Sequence, residues 1–278
     1  MKTLTNHTLI YDAECPLCNA YTSQFIKQGL LDKNGRTAFA NFDFENNKEI
    51  DKNLACNKIA LVNSTNNEIT YGIDSLLKVV GFSFPFIAKI GKQPLVYRFL
   101  NILYNFISFN RKMIAPGKNP QNSACNPTQN LKYRLAFIVF CGLVVHFTVT
   151  WFFQTFLYSF LNTQILFPDF ALFASQFPIQ ALVFYSLKQK KFYDYAGQIA
   201  AVSLFGALLL GALGIGLLFI QKLEINISLL APVSYGMVYM FMFLEHLKRV
   251  KLYQISAWLC VSWFVFRLAI YPLVFKFF

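Results

Sequence analysis

Two cysteines stand three positions apart near the start of the chain, within the segment YDAECPLCNAY of residues 11–21. Asp12 stands three positions before Cys15, the first cysteine of what we call the N-terminal pair, Cys15 and Cys18. Two thiols at this spacing are suited to disulfide exchange, because one attacks a disulfide and the other resolves the mixed intermediate. They can also carry a soft ion such as Cu(I), or be inert small residues. The pattern favours redox chemistry, with metal carriage and an inert pair as alternatives.

The residues around the pair predict a strand followed by a helix. Residues 7–11 (HTLIY) read as a short strand, and residues 15–27 read as a helix with apolar side chains at helical spacing. Pro16 suits the first helical position, whose N–H would be unpaired in any case. Cys15 then lies at the helix N-terminus, where free N–H groups and the helix dipole stabilise a thiolate. We therefore expect Cys15 to be the nucleophile and Cys18, one turn later, to be the resolving thiol.

The remaining polar and thiol residues of the N-terminal half permit fewer conclusions. Asp12 either braces the loop before the helix or accepts the proton of Cys18. Zinc normally takes four ligands in a structural site, and the sequence has neither a second Cys-x-x-Cys nor paired histidines. No resident metal or cofactor is therefore expected. Cys56 and Cys125 are expected to be ordinary free cysteines.

The pattern D-x-x-C-x-x-C after a short strand resembles the DCC family of thioredoxin-like thiol-disulfide oxidoreductases. Further segments of the chain resemble later parts of that family: RTAFANFDF (36–44), KIALVN (58–63), NEITYG (67–72) with Asp74, and Asn110–Arg111. The resemblance covers residues 7–115. It implies an α/β thioredoxin-like domain and a thiol-disulfide oxidoreductase of the protein-disulfide reductase type. The implied partner is a protein with a disulfide or thiol, or a small thiol.

The composition separates this part of the chain from a membrane-like part. The chain is 56% hydrophobic and only 14% charged, whereas soluble domains average about 25% charged residues. Apolar runs of about 20 residues, long enough to cross a bilayer, are confined to residues 135–278. The first residues contain no apolar core of a signal peptide. We expect a redox domain at 1–115, a basic linker at 116–134 and a membrane domain at 135–278.

The membrane domain is expected to be all-α and polytopic, with about five transmembrane helices. The expected spans are 135–161, 165–187, 196–220, 227–244 and 255–275. The second span is interrupted by Pro168, Asp169 and Pro178. If that segment is re-entrant, the number of spans is four.

The distribution of basic residues predicts how these spans are oriented. Cytoplasmic loops are enriched in Lys and Arg, and the loops at 188–195 and 245–254 each carry three. Five spans then place the N-terminal domain in the cytoplasm, where thiols are normally reduced. The expected protein is a multi-pass membrane protein with its N-terminal pair on the cytoplasmic side. The alternative is a non-enzymatic transporter or assembly component whose N-terminal domain docks a partner or carries a metal.

The segment before the first span is strongly basic. Residues 75–134 contain nine Lys and Arg residues and no acidic residue. Such a stripe beside a bilayer attracts the anionic lipid of the inner leaflet. Nucleic acid is not an expected partner, because no recognition motif accompanies the charge. The aromatic stretch 80–109 either packs on the sheet or lies on the inner leaflet.

Several chemistry-bearing residues fall within or beside the expected spans. His146 and Arg267 are at matching depth in the first and fifth spans, where ionisable residues are usually paired or functional. Arg267 either has a structural role, by snorkelling or by pairing with Asp169, or acts in function. Cys141 and Cys260, also at matching depth, are either packing residues or a membrane thiol pair. Glu245 and His246 are expected to be surface residues.

Overall fold

The computed structural model describes residues 2–118, 120, 123–157 and 168–276. The chain forms two compact units, Met1–Arg134 and Leu135–Phe278. The first unit contains the sheet and the N-terminal pair, and the second is mostly helical. Each unit is described separately.

The first unit is built on a four-stranded mixed sheet in the order β2-β1-β3-β4. The strands are β1 (His7–Tyr11), β2 (Arg36–Ala38), β3 (Ala60–Asn63) and β4 (Ile69–Tyr71). Strand β1 is parallel to β2 and antiparallel to β3, which pairs with β4 as a hairpin. A β-α-β unit followed by a hairpin and a helix fits the expected thioredoxin-like fold.

Five helices accompany this sheet within the described part of the first unit. They are α1 (Pro16–Lys27), α2 (Lys52–Asn57), α3 (Ile73–Ser83), α4 (Pro85–Gly91) and α5 (Pro94–Ile114). Successive residues of a strand point to opposite faces, and Leu9 and Ile10 of β1 are both fully buried. Leu9 belongs to a cluster with Leu31 and Leu61, whereas Ile10 packs with Phe39 and other residues on the other face. The central strand is therefore covered on both sides.

The second strand is shorter than the segment 36–44 that resembles it. Strand β2 ends at Ala38, and a 3-10 turn follows at Phe39–Asn41. Phe39 enters the core at this point, which turns the chain away from the sheet edge. The Asp-containing turn is present, because the Asp43 carboxylate accepts the backbone N–H groups of Glu45 and Asn46.

Helix α5 has two different faces. On its inner face, the Tyr104 hydroxyl accepts the backbone N–H of Ile59 at 3.0 Å, and Ser108 and Arg111 are buried. Several large apolar residues of α4 and α5 are exposed instead: Phe86, Ile87, Ile90, Leu95, Phe99, Ile102, Leu103 and Ile107. The aromatic stretch thus packs on the domain along one side only.

The second unit consists of five described helical segments. They are α6 (Leu131–Phe152, beginning before the unit boundary and continued by a π-helical turn, Phe153–Leu157), α7 (Pro168–Ser186), α8 (Phe192–Lys222), α9 (Leu230–Leu252) and α10 (Trp258–Lys276). Among the residues that the structure describes, two stretches are long and apolar enough to cross a membrane, Leu131–Leu157 with 27 residues and Phe192–Lys222 with 31. Two candidate spans do not establish five. The end of the first expected span and the start of the second lie outside the described residues.

Candidate functional site

Cys15 occupies the N-cap of helix α1. Its backbone is extended, with φ −85° and ψ 112°, and its Sγ accepts the backbone N–H of Cys18 at 3.4 Å. Pro16 is the first helical residue, where a missing N–H costs no hydrogen bond. The expected helix start is therefore confirmed. A sulfur at this position accepts a hydrogen bond from a free N–H group of the first helical turn, as an N-cap side chain normally does.

The two thiols of the N-terminal pair have opposite pKa shifts. A hydrogen bond from Cys18 is the largest cause that lowers the pKa of Cys15, to about 7; burial opposes it, and the Cys18 backbone N–H and the Arg111 charge assist it. The hydrogen bond to Cys15 and burial raise the pKa of Cys18. At neutral pH a substantial fraction of Cys15 is thiolate while Cys18 keeps its proton. This split is the one that a nucleophile and a resolving thiol need.

Asp12 forms a buried ion pair beside these thiols. Its Oδ2 accepts a hydrogen bond from Nη2 of Arg111 at 3.1 Å, and the two side chains are only 6% and 5% exposed. Its Oδ1 accepts the backbone N–H of Glu14, and its carbonyl accepts that of Cys15. A charge at this depth needs a charged or hydrogen-bonding partner. These contacts support the bracing role, which is one of the two alternatives for Asp12.

Arg111 reaches this site from helix α5, 99 residues along the chain from Asp12. Its Nη2 also donates to the carbonyl of Cys56 at 2.9 Å and to Sγ of Cys125 at 3.2 Å. In the sequence, Arg111 is part of the Asn110–Arg111 pair that resembles the family, and no role is predicted for it. The sequence signal that could have indicated a role is its position three residues after Ser108 and seven after Tyr104, on the inner face of α5.

Cys56 and Cys125 form a disulfide, which we call the bridge. Their Cα atoms are 5.3 Å apart and their sequence positions differ by 69, so the expectation that both are free cysteines is wrong. The chain after α5 returns to the end of α2, where the Thr128 N–H donates to Oδ1 of Asn57 at 2.7 Å. The two cysteines are distant in sequence, and they meet because the chain after α5 passes back beside α2.

A mostly apolar cavity of about 190 Å³ lies beside the N-terminal pair. Its lining includes Asp12, Cys18, Cys56 and Arg111, together with tyrosines and aliphatic residues of α1, α2 and α5. The resolving thiol and one cysteine of the bridge therefore line the same space. Cys15 itself is only 3% exposed. The loop before it is closely covered, since a Cβ on Gly117 would lie 2.2 Å from the carbonyl oxygen of Glu14.

Metal binding has a limited set of ligands in this structure. Within residues 2–118, 120, 123–157 and 168–276, no group of three or more His, Cys, Asp and Glu side chains converges as a metal site. The N-terminal pair supplies two thiols, which suit two-coordinate carriage of a soft ion.

His146 and Arg267 of the second unit contact different residues. His146 is within 3.4 Å of the Thr150 hydroxyl one turn later on its own helix. Arg267 is buried, donates to Oε1 of Gln176 at 3.0 Å and lies 5.1 Å from the centre of the Trp263 ring. The side chain of Asp169, the partner considered for Arg267, is outside the described residues.

The two cysteines of the second unit are free thiols, both fully buried. Cys260 packs in an aromatic cluster with Tyr195 and Trp263. A role for Cys141 and Cys260 in redox chemistry stays a prediction. The expectation that His246 lies at the surface is wrong, because it is 1% exposed and its Nε2 lies 3.3 Å from the Tyr195 hydroxyl. A polar residue of an apolar helix can be buried when a partner on another helix faces it.

Comparison with known proteins gives one result. No curated protein and no solved structure matches the chain. Residues 9–115 match the model of a family described as DCC1-like thiol-disulfide oxidoreductase. The match includes Asp12, the N-terminal pair and Arg111 but ends before Cys125. Residues 9–115 are therefore similar to the DCC1-like thiol-disulfide oxidoreductase family, and the rest of the chain lies outside this similarity.

Proposed function

We propose that the protein is a membrane-tethered thiol-disulfide oxidoreductase of the protein-disulfide reductase type. The observation that carries this proposal is the N-cap position of Cys15, whose Sγ accepts the Cys18 N–H. The Cys15 thiolate attacks a disulfide of the substrate, forms a mixed disulfide and releases one substrate thiolate. Cys18 loses its proton and attacks Sγ of Cys15, which releases the second substrate thiolate. The substrate gains two electrons and the N-terminal pair becomes a disulfide.

Asp12 is the proposed acceptor of the Cys18 proton. Both residues line the same cavity, and after the hydrogen bond to Cys15 and burial, the negative charge of Asp12 is one of the causes that raise the pKa of Cys18. The Arg111 charge is within 3.1 Å of Asp12 and stabilises the negative charge that moves between carboxylate and sulfur. The substrate is a protein with an accessible disulfide or a small disulfide, since the Cys15 thiolate attacks a disulfide. This exchange needs no prosthetic group.

The test is turnover of an added disulfide by the purified full chain in detergent. With dithiothreitol as reductant and oxidised insulin as substrate, the wild-type chain should accelerate reduction above the background rate. Cys15→Ser should not. Background rates for the wild-type chain would contradict the proposal and favour a domain that docks a partner.

The rival function, metal carriage, makes a different prediction for the same two thiols. A copper carrier holds Cu(I) with one equivalent per chain and resists competition by a chelator such as bathocuproine. An oxidoreductase should instead lose Cu(I) readily to the chelator, because within the described residues no third His, Cys, Asp or Glu side chain joins the pair in a metal site. Tight retention of one Cu(I) together with absent turnover would establish the rival.

We also propose that the second unit spans the membrane about five times, with the N-terminal domain in the cytoplasm. The support is the basic loops at 188–195 and 245–254 and the two long apolar helices. A reporter active only in the cytoplasm should work in the 188–195 loop and be silent after Phe278. Activity after Phe278 would mean an even number of spans.

The exposed apolar side of α4 and α5 is proposed to contact anionic lipid of the inner leaflet. Phe86, Leu95 and Phe99 are 72%, 84% and 63% exposed, and Lys89, Lys92 and Arg98 are interspersed with them. Apolar residues flanked by cations are typical of helices that lie at a membrane interface. Amide exchange of residues 94–103 in nanodiscs should be slower with anionic than with zwitterionic lipid. Equal exchange rates would remove anionic lipid as a partner.

A further inference from the structure

Two cysteine pairs converge on one side chain in the first unit. Nη2 of Arg111 lies 3.1 Å from Oδ2 of Asp12, which braces the loop of the N-terminal pair, and 3.2 Å from Sγ of Cys125. The same nitrogen donates to the carbonyl of Cys56. One guanidinium thus contacts both the redox loop and the bridge.

A shared cavity completes this arrangement. Cys18 and Cys56 are both lining residues of the space of about 190 Å³, whose walls are mostly apolar. This cavity gives the two residues a common space inside the first unit. Cys56 and Cys125 are 8% and 2% exposed, which shields the bridge from bulk solvent and favours reaction from within the protein.

The charge of Arg111 suits a disulfide that opens and closes. Breaking the bridge by attack at Cys56 leaves Cys125 as the departing thiolate. A thiol with a lower pKa leaves faster, and a nearby arginine lowers the pKa of a thiol. The guanidinium contact to Cys125 therefore stabilises the charge that develops when the bridge exchanges.

We propose that the bridge is a second redox centre that exchanges two electrons with the N-terminal pair inside the same chain. In one direction the Cys56 thiolate attacks Sγ of Cys18 in the oxidised pair, a Cys18–Cys56 bond forms and Cys15 leaves as a thiolate. The Cys125 thiolate then attacks Sγ of Cys56, the Cys56–Cys125 bond forms and Cys18 leaves as a thiolate that takes up a proton. The N-terminal pair is reduced and the bridge is oxidised, so bonds and electrons balance without another reactant.

The structure contains the product of this exchange, with Cys15 and Cys18 free and the bridge closed. The relay rests on the proposed function, because it needs an N-terminal pair that cycles between dithiol and disulfide. It goes beyond that function by giving the pair an internal electron source. Disulfides of cytosolic proteins are usually transient and catalytic or redox-sensing, which agrees with this role for the bridge under the proposed orientation.

The first test traps the intermediate in the full chain. In the first unit, the double variant Cys15→Ser/Cys125→Ser leaves only Cys18 and Cys56 as cysteines, and treatment with diamide should join them, as peptide mapping by mass spectrometry reports. The matched control Cys15→Ser/Cys56→Ser leaves only Cys18 and Cys125 there and should form at least tenfold less Cys18 cross-link. Equal cross-linking in both variants would overturn the relay.

The second test uses the wild-type chain and does not depend on the folding of a variant. Fully reduced protein receives one equivalent of diamide, and samples are quenched with acid, alkylated and mapped. The disulfide should appear first at Cys15–Cys18 and move to Cys56–Cys125 at a rate independent of protein concentration. Cys18→Ser should slow bridge formation at least tenfold.

The outcomes of the second test separate the two proposals. A disulfide that stays at Cys15–Cys18 for hours, with Cys56 and Cys125 reduced, would overturn the relay and leave the proposed function intact. A bridge that forms equally fast in wild type and Cys18→Ser would do the same. Failure of the N-terminal pair to oxidise at all would overturn both.

Discussion

The N-terminal pair and the bridge reach the same arginine by different routes. Cys15 and Cys18 are brought together by a single turn of helix, and their different pKa values arise mainly from the hydrogen bond between them and from burial. Cys56 and Cys125 are 69 residues apart and meet only because the chain after α5 returns to α2. Reactivity is thus largely local in origin, whereas the coupling of one pair to the other depends on tertiary contacts through Arg111.

The largest expected effect comes from removing the nucleophile. Cys15→Ser should abolish disulfide turnover, since a hydroxyl cannot replace a thiolate in exchange. Cys18→Ser should instead accumulate a mixed disulfide with the substrate, visible on a non-reducing gel. The matched control Ala20→Ser, which adds the same hydroxyl at an exposed position of α1, should retain wild-type turnover. Retained turnover in Cys15→Ser would show that Cys15 is not the nucleophile of the disulfide exchange.

Removing the bridge should lower the stability of the first unit without abolishing the reactivity of the N-terminal pair. A cross-link across 69 residues restricts the unfolded chain by about 4 kcal/mol in the chain-entropy model. Cys56→Ser and Cys125→Ser should each lower the free energy of unfolding of the first unit, measured by pulse proteolysis in urea. The double variant should lose little more than either single variant, because one substitution already opens the link. Unchanged stability in the single variants would show that the bridge does not constrain the fold.

Arg111→Met should affect both cysteine pairs. It leaves Asp12 as an unpaired buried charge, and breaking such a pair costs about 3 to 5 kcal/mol. We expect the free energy of unfolding of the first unit to fall by about 3 kcal/mol, because the Asp12 carboxylate still accepts the hydrogen bond from the Glu14 N–H. The control Arg36→Met removes an equal charge from a side chain that lies over the Tyr11 ring. It should leave the alkylation profile of Cys15 unchanged.

A double variant tests the origin of that loss. Asp12→Asn/Arg111→Met removes both charges and should recover part of the stability lost in Arg111→Met, since no lone charge remains buried. If the double variant loses as much free energy of unfolding as the two single variants together, the loss is due to packing and not to charge.

The smallest expected effect is a difference in pH dependence between the two thiols. The pKa of Cys15 is lowered to about 7, mainly by the hydrogen bond from Cys18, so its thiolate persists down to neutral pH. Alkylation of Cys15 by iodoacetamide should be half-maximal near pH 7 and fall about tenfold per unit below it. Cys18 should react only at much higher pH, because the pKa of Cys18 is raised.

Mass spectrometry of the two alkylated peptides between pH 5 and pH 10 measures both profiles. In Arg111→Met the Cys15 profile should shift to higher pH, since the guanidinium charge assists the thiolate. Identical profiles for the two thiols, with a midpoint near that of a free cysteine, would contradict the local origin of their reactivity.

The sequence by itself determined the parts of this protein that depend on neighbouring residues. Pro16 after Cys15 specified where α1 begins, and the apolar periodicity of residues 15–27 specified its length. The strand at 7–11 and the long apolar helices of the second unit were also readable. These features follow from backbone hydrogen bonding, capping and burial patterns, which act over a few residues.

Only the tertiary structure decided which distant side chains meet. The Asp12–Arg111 pair joins residues 99 positions apart, the bridge joins two cysteines whose spacing gives no sign of pairing, and His246 is buried against Tyr195 rather than exposed. Each contact depends on the path of the chain between elements and on the need to pair a buried charge or polar atom. No spacing rule encodes such contacts, because packing selects the partner from anywhere in the fold.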